Sequence, residues 1–129
     1  MDKNKPIRCR VVACREALDD GYELSFYLIN DSDATFDSAV LKEISYEWGN
    51  WGNSETADAR VTGLAPQAHA LIWRDDGSGA ELSMDLALLV RMGGHEVSLQ
   101  FEFPKLYRKT NLPLVDGLGK HGWQEAAEG

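Results

Sequence analysis

From residue 80 to residue 103 the chain alternates apolar and polar side chains almost without error, interrupted once by Gly93-Gly94. Ala80, Leu82, Met84, Leu86, Leu88, Val90 and Met92 fall on one side, with Glu81, Ser83, Asp85 and Arg91 on the other. Past His95, Val97, Leu99, Phe101 and Phe103 interleave with Glu96, Ser98, Gln100 and Glu102. A period of two residues sends one set into a core and the other into water, which a helix of roughly 3.6 residues per turn cannot do. Two adjacent glycines supply the positive φ angles that a tight hairpin turn needs. The segment is therefore a long β-hairpin.

Weaker versions of the pattern recur along the chain. Residues 7–14 place Ile7, Cys9, Val11 and Ala13 on one face, and residues 22–30 do the same with Tyr22, Leu24, Phe26 and Leu28. Between 40 and 48 the even positions read Val40, Lys42, Ile44, Tyr46 and Trp48, which predicts a strand with those residues inward. Residues 49–59 read as one extended polar loop, followed by short strands at 60–64 and 68–74. Asn30-Asp31-Ser32-Asp33 is a turn signal, because short polar side chains satisfy the backbone locally. About seven strands at this spacing predict an all-β fold, an antiparallel β-sandwich with an irregular C-terminal tail. The expected organisation is one domain over 1–120, including an arm at 104–120, and a flexible polar end at 121–129.

The segment 22–41, an aromatic-rich strand entering an Asn-Asp-Ser turn and leaving as a second strand, resembles the early hairpin of immunoglobulin-like and fibronectin III-like domains. The resemblance implies an immunoglobulin-like sandwich. It covers the fold alone and carries no function with it.

A chain of 129 residues with 43% hydrophobic and 26% charged residues is in the range of one soluble globular domain. Its net charge of −8 argues against nucleic acid as a partner, since phosphates are repelled. The charge is uneven: residues 16–103 hold 4 basic and 17 acidic residues, while both flanks are basic. The basic ends are expected to lie against an acidic body, or the acidic surface to serve a basic partner. No apolar run reaches the roughly 18 residues of a membrane helix, and residues 1–8 lack the apolar centre of a signal peptide. Cys9 and Cys14 point to opposite faces of one strand, roughly 16 Å apart, too far for a disulfide. Free thiols without an export signal lead to the expectation of a cytoplasmic protein with no membrane contact.

Candidate chemistry is sparse. Asp31-Ser32-Asp33-Ala34-Thr35 resembles the Asp-x-Asp-x-Thr signature of haloacid dehalogenase-like phosphatases. That chemistry needs a parallel sheet with crossover helices, so the two aspartates are read as turn residues. Asp75-Asp76-Gly77-Ser78-Gly79 with Glu81 lacks the spacing of an EF-hand and reads as a turn. His69, His95 and His121 show no metal-ligand spacing. No cofactor, metal or catalytic residue is expected.

Two segments are expected to bind. Trp48, Asn50, Trp51 and Asn53 combine rings and amides in a glycine-flexed loop, suited to stacking on a sugar or small ligand or to anchoring a protein. Leu106 and Tyr107 sit among basic residues in the arm, able to dock on a partner or on the chain's own acidic face. Ala87 and Leu89 make the outward side of the long strand partly apolar, as Tyr27 and Ile29 do for the second strand. Such faces call for a cover, either the tail or another molecule. The leading expectation is a non-catalytic sandwich acting through a protein partner or as a homo-oligomer, with a small-ligand or carbohydrate module as the alternative.

Overall fold

The computed structural model describes residues 6–18, 21–48, 51–75, 82–106 and 111–129, with the backbone alone at 17, 18, 21, 22, 48 and 51. Its strands in chain order are β1 (Arg8–Leu18), β2 (Gly21–Asn30), β3 (Phe36–Trp48), β4 (Trp51–Leu64), β5 (His69–Asp75), β6 (Ser83–Met92), β7 (His95–Phe103), β8 (Leu114–Val115), β9 (Lys120–His121) and β10 (Trp123–Glu128). They form two antiparallel four-stranded sheets, ordered β10-β1-β2-β5 and β4-β3-β6-β7, and a small β8-β9 ribbon. The expected all-β sandwich is the fold. Among the described residues no helix is long and apolar enough to cross a membrane.

The alternation that predicts the strands also builds the core. Leu24, Phe26 and Leu28 from the first sheet meet Leu86, Leu88, Phe101 and Phe103 from the second, each at most 2% exposed. Phe26 and Phe103 join the sheets edge to face, ring centroids 5.4 Å apart. The β6–β7 turn has Gly93 at φ 58° and Gly94 at φ 83°, both in the left-handed region that glycine enters without strain. Cys9 lies in the inter-sheet core and Cys14 in a separate cluster on the outer side of the same sheet, so the thiols do face opposite ways.

Asn30 pins the corner where the chain leaves one sheet for the other. It is fully buried, and its Nδ2 donates to the carbonyls of Ala34 and Leu64, both at 2.9 Å. Its Oδ1 accepts from the Ser32 amide at 2.8 Å. Asp31 receives a two-pronged contact from Arg10, Nε to Oδ2 at 2.7 Å and Nη2 to Oδ1 at 2.9 Å.

Three expectations need correction. Residues 51–59, expected within a loop, are strand, paired with β3 from Trp48↔Trp51 to Phe36↔Leu64. Residues 52–56 are exposed on both faces, so they carry no apolar alternation for the sequence to show. Val40 does not share a face with Ile44. Strand β3 takes three steps from Leu41 to Ile44 while β6 takes two from Leu88 to Leu86. This bulge leaves Lys42 and Glu43 both exposed, with Leu41 and Ile44 both buried. Finally, the C-terminal end, expected without structure, carries strand β10, which pairs with β1 from Arg8↔Glu128 to Ala13↔Trp123. Exposed Gln124, Ala126 and Glu128 hide this strand from a hydropathy reading.

Candidate binding surface

The two outer faces of the sandwich differ. On the β10-β1-β2-β5 sheet, Val12, Cys14 and Ile29 point outward and are sealed by Val115 and Leu118 from the β8-β9 segment. Arg10 Nη1 donates to the Asp116 carbonyl and to Gln124 Oε1, both at 3.1 Å, so one guanidinium ties β1, the Asp31 turn, the cover and β10. Lys120 Nζ lies 3.0 Å from Glu16 Oε1 and 5.2 Å from the centre of the Tyr27 ring. The Lys120 ammonium holds the Glu16 carboxyl below its ordinary range. Burial raises the thiol of Cys14 to about 11 and that of Cys9 to about 12, so both stay protonated and unreactive at neutral pH. The tail is thus the cover for the Tyr27 and Ile29 face; Ala87 and Leu89 lie on the other sheet and stay partly exposed there.

That other sheet, β4-β3-β6-β7, presents rows of paired residues outward. One row runs Ser54, Ser45, Asp85, Glu102, and those beside it carry Thr56, Glu43, Ala87, Gln100 and Gly52, Glu47, Ser83. Three carboxylates, Glu43, Glu47 and Glu102, thereby gather around Asp85 at one end of the sheet. Partial burial and then the like charges of Glu102, Glu47 and Glu43 push the Asp85 carboxyl above its ordinary value. Asp85 Oδ1 is buried without a hydrogen-bond partner among the described residues. At the β7 side the sheet opens into a cleft of about 480 Å³ between Glu47, Asp85, Glu102 and Glu125, beside Pro104 and Trp123. Ser45 Oγ donates to Glu43 Oε1 at 3.3 Å, and Ser83 Oγ to the Glu47 carbonyl at 3.2 Å.

Of the residues expected to bind, Asn53 and Leu106 are described with their side chains. The backbones of Trp48 and Trp51 face each other at the tip of the β3–β4 hairpin. Their rings, Asn50 and Tyr107 lie outside the described residues. Asn53 is exposed on β4 opposite Tyr46. Leu106 is 2% exposed and belongs to the inter-sheet core, so it offers no side-chain surface, and its carbonyl accepts from Arg15 Nη1 at 3.3 Å. Both oxygens of Asp31 are taken by Arg10. Past Asp75, the acidic turn at 76–81 is outside the described residues. Among the described residues no group of three or more His, Cys, Asp or Glu is placed to hold a metal. His69 stacks edge-on to Tyr27 at 6.1 Å, His95 is exposed at the β6–β7 turn, and His121 Nδ1 lies 2.7 Å from the Leu112 carbonyl. The acidic face escapes sequence reading because its carboxylates are scattered over three strands. Only the pairing register brings Glu43, Glu47, Asp85 and Glu102 together.

No protein-family model matches the chain, and no curated protein matches it.

Proposed function

We propose that this domain is a non-catalytic protein-binding module, and that its contact surface is the acidic outer face of the β4-β3-β6-β7 sheet. One observation carries the reading: the chain's own tail covers the apolar cluster of Val12, Cys14 and Ile29 on one sheet, while the other keeps an open face with Glu43, Glu47 and Glu102 crowded around Asp85. Like charges held together raise the energy of the free protein, and an arriving cation relieves it. The occupant is therefore a basic segment of another protein. A second copy of the chain would bring carboxylates against carboxylates, which disfavours self-association through this face.

The order β1-β2-β5 against β4-β3-β6-β7 supports the immunoglobulin-like resemblance, since strands A, B and E of such domains face C, F and G with a further strand beside C. The unpaired thiols Cys9 and Cys14 support a reducing compartment.

The test is calorimetric titration with a synthetic peptide of alternating lysine and threonine. Binding is expected at about 0.05 M salt and is expected to weaken by about tenfold or more at about 0.5 M. Glu47→Lys with Glu102→Lys should abolish it, whereas Glu128→Lys on the opposite sheet should leave it near the parent value. Equal weakening by both changes would reduce the effect to net charge and sink the proposal.

A further inference from the structure

Strand β4 ends its sheet, with β3 on one side and no described strand hydrogen-bonded on the other. Its 14 residues are twice the length of β5, which follows after a connection of four residues. Strand β5 belongs to the other sheet, and among the described residues the N-terminal half of β4 is paired with β3 alone. There, Gly52, Asn53, Ser54, Glu55 and Thr56 are all exposed, and none is the lysine or proline that commonly guards an open edge.

The side chains along this half are graded in size. The outward residues of β4 are Gly52, Ser54 and Thr56, opposite Glu47, Ser45 and Glu43 of β3. A strand added beside β4 would lie two ladder spacings from β3, about 10 Å. Over a large β4 side chain that gap would be closed. Over glycine, serine and threonine it stays open, and a lysine or arginine from the added strand meets a glutamate reaching from β3. Side chains on one face of a strand recur at every second residue, so the matching occupant carries its basic residues at alternate positions.

We infer that the N-terminal half of β4 accepts an extended segment of a partner protein as an added strand, with Lys or Arg at every second position directed over Gly52, Ser54 and Thr56 toward Glu47 and Glu43. The inference rests on the acidic-face reading and specifies how its occupant binds. Backbone pairing along the edge supplies affinity, and the carboxylates set the charge pattern and the register.

The test uses the alternating lysine–threonine peptide in three forms: unmodified, N-methylated on every lysine, and N-methylated on every threonine. All three carry the same charge. An added strand turns one edge toward β4, so one methylated form should bind about tenfold or more weaker while the other stays near the parent. Hydrogen exchange should slow over residues 52–57 when the unmodified peptide is present. If both methylated forms bind like the parent, or exchange slows elsewhere but not over 52–57, the strand-addition inference fails while the acidic-face reading stands. Loss of binding in both methylated forms overturns it as well. No binding by the unmodified peptide overturns both.

Discussion

Asn30 shows how much one side chain can hold. Its amide satisfies two carbonyls and one amide in a place that water does not reach, and Ser32 adds a reciprocal pair with the Arg8 backbone at 2.8 and 2.9 Å. Asn30→Ala strands all three Asn30 partners, at an expected cost of about 2–4 kcal/mol in denaturant unfolding. Asp85 stands in the opposite position, as a side chain the fold tolerates. Its carboxyl is raised above the ordinary 3.8 by burial and by Glu102, Glu47 and Glu43. Below that ordinary value the group is neutral whether folded or unfolded, and it costs nothing. As pH climbs through the raised folded value, folding disfavours the ionised form and the penalty sets in. Asp85→Asn should therefore melt roughly 1–3 °C above the parent at pH 7, and the gap should close toward pH 3. A variant that is less stable at neutral pH would contradict this account.

At the scale of elements, the tail makes the difference between a seven-strand expectation and the observed sandwich. Gly122 is where it comes closest: a Cβ there would sit 2.6 Å from Val12 Cγ1 and 2.9 Å from the Ala13 carbonyl oxygen. Gly122→Ala must push the tail off β1, and about 1–3 kcal/mol of stability should go with it, measured by thermal or urea unfolding. Strands with one buried face were legible because their period is visible in hydropathy, as with β6 and β7. Strand β10 and the first half of β4 were not, since they are held by backbone pairing along an edge and leave most side chains in water. The outward side of β2 was legible as apolar, but hydropathy does not say which distant segment will cover Ile29.

For the whole molecule, the uneven charge of the sequence becomes a division between faces. Two basic residues of the flanks pair within the β10-β1-β2-β5 side, Arg10 with Asp31 and Lys120 with Glu16. Four carboxylates of the central segment, Glu43, Glu47, Asp85 and Glu102, collect on the outer face of the other sheet. The folded protein therefore carries a direction that its net charge conceals: one face partly covered by its own chain, the other open around Asp85. The proposed basic partner would be drawn toward that face from beyond contact distance, most strongly at low salt.

The bulge in β3 decides on which side those carboxylates stand. Counted by strict alternation from Leu41, residues 43, 45 and 47 would point into the core and Ile44 into water. Removing Lys42 would leave Ile44 and Tyr46 inside and Glu43, Ser45 and Glu47 outside, because the two outward neighbours would become one. Losing Ser45 or Tyr46 instead would exchange the faces of every later residue in the strand. Tolerance to a change of length in this strand is thus confined to the residues between Leu41 and Ile44, and the acidic surface is inherited by counting as much as by composition.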